Sequence, residues 1–153
     1  MTDTETELET PTTPDLKFYS IRSISLATFI GGPILGGIVM RKNFVNMGQK
    51  LNGTLALVIG IVATIAIFAF LFSIPKEIAG KIPPPVIPGI YTAFAYLIAQ
   101  RLMGKELKEH KDNGGTYYSA WRVFGIFLII ILISAIVFIL GDLLATHQPI
   151  YGG

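Results

Sequence analysis

Few residues in this chain have the types and spacing that chemistry needs. His110 lies one helical turn after Glu106, and Asp112 and Ser119 are close in sequence. Glu106 and His110 on one helix face could together touch a divalent cation, but a protein metal site needs three or four ligands and no third is evident. Ser119, His110 and Asp112 are the residue types of a hydrolytic triad, yet nothing in their spacing buries or orders them as a triad requires. The only other histidine, His147, lies beyond the last apolar segment. There is no cysteine, which excludes disulfides, thiolate metal sites and cysteine nucleophiles. No catalytic residue and no metal or cofactor site is assigned on this basis, and the pattern argues against an enzyme.

The elements that would have to position any site are apolar helices. Of 153 residues 52% are hydrophobic and 14% charged, against about 25% charged in a soluble domain, and the mean hydropathy is +0.61. A net charge of +2 is too small to suggest a nucleic-acid partner. The charges are spaced tellingly: Arg22 to Arg41 encloses 18 uncharged residues, Lys50 to Lys76 encloses 25, Lys81 to Arg101 encloses 19 and Arg122 to Asp142 encloses 19. A hydrocarbon core about 30 Å thick takes roughly 20 helical residues. The expected fold is therefore an all-α, integral membrane four-helix bundle with spans near 21–40, 54–74, 86–102 and 122–142. These lie in a membrane domain over 16–145, between an acidic, disordered tail (1–15) and a short C-terminal tail (146–153).

Local signals fill in the connections. Asp15 is placed to cap a helix starting near Leu16, and residues 41–53 suit a stretch lying on the membrane surface. Pro75 and Pro83-Pro84-Pro85 suggest a stiff, extended hairpin, with the third helix starting near Pro88 and running to Asp112, stopped by Gly114 and Gly115. Tyr117, Tyr118 and Trp121 form an aromatic anchor. Basic residues divide eight to four in favour of the 1–2 and 3–4 connections, so both termini are expected outside, with Lys17 and Arg22 opposing the bias.

Inside the spans the informative residues are small. Thr28, Gly32 and Gly36 at i, i+4 and i+8 form a groove, and Ala56, Gly60 and Thr64 form a matching stripe, so these faces are expected to pack together. Pro33, after Gly31 and Gly32, should kink the first span and free the Phe29 carbonyl. Pro88 and Gly89 interrupt the third span similarly, giving two parallel-related helical hairpins and, as in some transporters, a pointer to a binding site. Against ion coupling stands an absence: no Asp, Glu, Lys, Arg or His falls inside the spans' four uncharged runs.

Ala27-Thr28-Phe29-Ile30-Gly31-Gly32-Pro33, Asn43-Phe44, Ile82-Pro83, Pro88, His110, Gly114 and Ser119-Ala120-Trp121-Arg122 together resemble a family of small, uncharacterised bacterial four-span membrane proteins over residues 18–140. The resemblance implies a bacterial inner membrane and adds weight to the interface loop of His110, Gly114, Gly115, Ser119, Trp121 and Arg122. It implies no activity. The expected role is a non-enzymatic accessory subunit in the lipid bilayer, associating with itself or another membrane protein; the alternative is a small oligomeric transporter or channel for a neutral solute.

Overall fold

The computed structural model describes residues 16–146; the tail expected at 1–15 and, Thr146 apart, the one expected at 146–153, with His147, lie outside the described residues. It is all-α, with helices α1 (Ile21–Asn46), α2 (Lys50–Ser73), α3 (Lys76–Ala79), α4 (Val86–Asp112) and α5 (Trp121–Thr146). All but α3 are long and apolar enough to cross a membrane, so the chain is a multi-pass helical membrane protein. Helix α1 begins at Ile21, where the Ser20 side chain accepts the Ser23 amide as N-cap. The expected start at Leu16 is thus displaced, because residues 16–20 run extended against the α4–α5 loop: Phe18 N–H donates to the Thr116 carbonyl and Tyr118 N–H to that of Phe18.

The first span departs most from expectation. Asn43 accepts from Tyr19 N–H at 2.7 Å and donates to the Tyr19 carbonyl at 2.7 Å, and Asn46 donates to the Lys17 carbonyl. Twenty-four residues of straight helix would separate Tyr19 from Asn43 by about 36 Å. Helix α1 is instead two helical legs folded back on each other at Gly32, whose φ of 71° and ψ of −177° lie outside the helix. Its tip packs beside Gly60 and Thr64, midway along the uncharged run from Lys50 to Lys76. In place of the expected straight helix at 21–40 stands a hairpin whose tip lies level with the middle of the uncharged run of α2.

Other connections differ for local reasons. The 41–53 segment does not lie flat: α1 continues to Asn46, with Phe44 buried, and reverses at Met47–Gln49. The reversal is a glycine cap, with Gly48 at φ 77° and bonds from Gly48 N–H to Val45 and Gln49 N–H to Phe44. Residues 75–85 form a single helical turn and tight turns rather than an extended hairpin, the Val86 amide bonding back to Pro83. Helix α4 passes Pro88 and Gly89 unbroken, since Pro88 falls in the first turn where its missing amide costs nothing. The halves therefore differ in form, and the parallel-related hairpins are not present.

The core sits where the legs of α1 meet α4 and α5. Ile24 and Ala27 of the first leg, Leu35 and Val39 of the second, Ala99, Met103 and Leu107 of α4, and Val123 of α5 are nearly inaccessible. Half of the apolar window of α1 is buried, against 6% for α2 and α5 and 11% for α4. The outer helices pack mainly on α1 and turn their remaining apolar surface outward.

With α1 folded back, Lys17–Ser20, the α1–α2 turn and the α4–α5 loop share one end of the bundle, while residues 75–85 and the end of α5 occupy the other. The two ends of the described chain thus lie at opposite ends of the bundle, where both were expected on one side. Single cysteines can be introduced without background. Lys17→Cys, Lys50→Cys and Asn113→Cys should react with an impermeant maleimide from one side of the membrane and Lys81→Cys from the other; Lys17→Cys reacting alongside Lys81→Cys would disprove the re-entrant hairpin.

Candidate functional site

Two constructed regions stand out: the mid-membrane tip of α1 and the interfacial clasp that holds its ends. At the tip, backbone amides and carbonyls lose their helical partners in a medium that supplies none. Gly32 takes a conformation essentially restricted to glycine, and no atom approaches the position a Cβ would occupy. Its requirement is conformational, not the close packing expected of it. Pro33 then opens the second leg, where a missing donor is harmless; it starts a helix rather than kinking one. The Ile34 amide donates to Thr64 Oγ1 of α2 at 3.1 Å, and that hydroxyl donates to the Gly60 carbonyl at 2.8 Å. Thr64 thus caps the second leg from a neighbouring helix.

The α2 stripe of Ala56, Gly60 and Thr64 meets α1 as expected, but opposite Pro33, Ile34 and Gly37. A Cβ on Gly60 would come 2.6 Å from the Pro33 carbonyl oxygen, and one on Gly37 2.7 Å from that of Ala56. Thr28 and Gly36 do not face α2 together. They pack on each other across the fold, Gly36 leaving space for the Thr28 side chain, because the i+8 spacing that aligns them on a straight helix ends at Gly32. Beside the tip lies an apolar cleft of about 470 Å³, walled by α2 and α4 and floored by the second leg of α1.

At the membrane surface, His110 carries the clasp. Its Nε2 lies 3.1 Å from the Thr116 carbonyl, and its ring meets Phe18 edge-on with centroids 4.6 Å apart. Gly115 passes directly beneath this ring, where a Cβ would collide with it. Gly114, at φ 80°, and Gly115 close the end of α4 through amide bonds to Lys111 and His110. Tyr117 donates its hydroxyl to the Leu107 carbonyl; burial first, and then Asp112, raises its pKa and keeps that donor protonated. Tyr19 is likewise raised, mainly by burial, against the opposing pull of Arg122. The Arg122 guanidinium sits 4.4 Å from the centre of the Tyr118 ring. Ser119 accepts the Arg122 amide at the start of α5, and Trp121 is 80% exposed beside Phe124, as an interfacial anchor should be.

The interface loop therefore holds the chain's own N-terminal strand. Glu106 is exposed, and among the described residues no three His, Cys, Asp or Glu side chains gather to hold a metal. The pivotal residue is Asn43, fully buried, which pairs both polar groups of the Tyr19 backbone. An uncharged amide just beyond a span gave only a faint sign of this role.

Asn43→Leu leaves two buried backbone groups unpaired at about 1–3 kcal/mol each, and should lower the detergent-solubilised melting temperature by several degrees while freeing Lys17 to proteolysis. Gly32→Ala and Thr64→Val should each cost roughly 1–3 kcal/mol, through strain and through the orphaned Ile34 amide respectively. Gly89→Ala, with open space around it, should cost nothing measurable. If Gly32→Ala melts like the natural chain, the folded tip is wrong.

Comparison with family models, with curated proteins and with solved structures yields no match to this chain.

Proposed function

We propose that this chain is a non-enzymatic, multi-pass subunit of a bacterial inner membrane that associates laterally with itself or with another membrane protein. The observation that carries this reading is the tip of α1, capped by Thr64 of α2. A broken helix at mid-bilayer commonly exposes its freed backbone groups to a substrate or ion; here α2 packs against the second leg, and Thr64 takes up the Ile34 amide. The fold spends its polar groups on holding a shape. Lateral association is supported by α5, which touches the core through Val123, Ile126, Phe127 and Ile130 while Leu132 to Leu140 remains exposed and apolar.

The bacterial setting rests on the family resemblance. Orientation follows from the crossings: of twelve Lys and Arg, Lys76 and Lys81 lie on one face, leaving ten on the other. Lys17 and Arg22, which opposed the bias on a four-crossing reading, now join the majority. The positive-inside rule then places the ten, with the N-terminal strand, in the cytoplasm, and the end of α5 outside. Transport of a neutral solute is the competing role, and the cleft beside the tip is the feature that favours it.

Extraction into native-lipid particles should yield a stoichiometric complex, with another protein or as a homo-oligomer, that a charge on the exposed face of α5 (Ile136→Lys) disperses. A monodisperse monomer would refute the subunit reading. Solute permeability in reconstituted vesicles that disappears with Pro33→Ala would establish transport instead.

A further inference from the structure

The cleft between α2 and α4 has a built-in polarity along its length. Its α2 wall runs from Asn52 to Ile67, fifteen residues or about 22 Å of helix. It therefore starts at the headgroup level beside Lys50 and ends just past the depth of the α1 tip, about one leaflet down. Small residues make the room: Gly36 and Gly37 in the floor, Ala63 in one wall and Ala95 in the other. The lining is almost wholly apolar along this descent. Near the mouth it changes, with the carboxamides of Gln49 and Asn52.

The helix faces that form the cleft continue upward into cations. On α4, Arg101 follows the lining residue Phe94 by seven positions, and so lies almost directly above it on the same face. On α1, Arg41 follows Gly37 by four and precedes Phe44 by three, both lining residues, and its side chain lies against Gly53. In helical register Arg101 thus stands beside the top of the α4 wall and Arg41 beside the top of the α1 floor, both just outside the apolar lining of a slot about as long as one leaflet is deep. Their planar forks suit a phosphodiester better than a point charge would.

We propose that this cleft is a specific site for one anionic glycerophospholipid of the basic leaflet, with an acyl chain in the slot, the glycerol region at Gln49 and Asn52, and the phosphate between Arg41 and Arg101. The site does not depend on the subunit role proposed above, since a lipid bound here would stand equally with a monomer or an oligomer. It takes its ligand from the surrounding leaflet through the open side between α2 and α4, and the bound chain completes the packing of two helices that do not rest on each other.

Native mass spectrometry of the full chain in mild detergent, titrated with phosphatidylglycerol or phosphatidylcholine, tests it. The natural chain should retain one phosphatidylglycerol per protomer at an apparent affinity at least about tenfold above that for phosphatidylcholine, as two juxtamembrane cations warrant. The double variant Arg41→Gln/Arg101→Gln, altered only at exposed positions, should bring the two lipids to equal affinity with unchanged helicity. Ala63→Phe or Ala95→Phe, filling the slot from either wall, should remove the tightly bound lipid of both kinds. Equal affinity for the two lipids in the natural chain overturns the assignment to an anionic lipid, and an undiminished bound lipid in a folded slot-filling variant overturns the site. If neither slot variant folds, the charge variant decides alone: unchanged selectivity refutes the proposal.

Discussion

In hydrocarbon a backbone amide or carbonyl without a partner costs several kcal/mol, and no water is at hand to supply one. The whole fold turns on how this constraint is met at Gly32, where α1 abandons its helix. A partner must come from α2, and only a hydroxyl at Thr64 and the absence of a side chain at Gly60 let α2 come close enough. The tip therefore fixes the position and depth of α2. Asn43 does the same work at the other end, tying the two ends of α1 together through the Tyr19 backbone. With both ends and the tip secured, the hairpin is a rigid wedge.

Everything else is arranged around that wedge. Transfer from water cannot drive one apolar helix onto another inside lipid, so contact has to come from close packing and hydrogen bonds. Helix α1 offers such contacts on several sides: glycines toward α2, a buried row toward Ala99, Met103 and Leu107 of α4, and the Phe18–Tyr19 strand toward the α4–α5 loop. The core is consequently concentrated in the half of the bilayer that α1 occupies. Beyond the tip, α2, α4 and α5 have no central partner, which is why α5 is exposed over its second half.

The number of the long apolar helices was legible because charge spacing and bilayer thickness constrain it independently of tertiary structure. So were the glycine stop at Gly114–Gly115 and the α2 stripe of Ala56, Gly60 and Thr64. The fold of α1 was not. A run of 18 uncharged residues between Arg22 and Arg41 satisfies the length of a crossing and that of a hairpin equally, and Gly-Pro reads the same as a kink or a reversal. What separates these possibilities is a pair of contacts 24 residues apart, Tyr19 with Asn43, which no local pattern encodes. The error then spread: periodicity counted through Gly32 put Thr28 and Gly36 on a shared outer face when they meet across the fold.

The discord in the charges carried the missing information in a weak form. On a four-crossing path Lys17 and Arg22 sit with Lys76 and Lys81 on the side that the other eight basic residues avoid, and nothing in the sequence accounts for that. Reversing α1 at mid-bilayer changes the parity of the path and moves exactly those two residues, with their strand, to the basic face. It leaves every other connection where it was. The same reversal shortens what α1 must span, so that Phe44 and Asn43, surplus to a crossing, become the top of the second leg and part of the core. One glycine conformation thus accounts for the charge distribution, the buried amide and the clasp together, whereas a straight first helix leaves each of them unexplained.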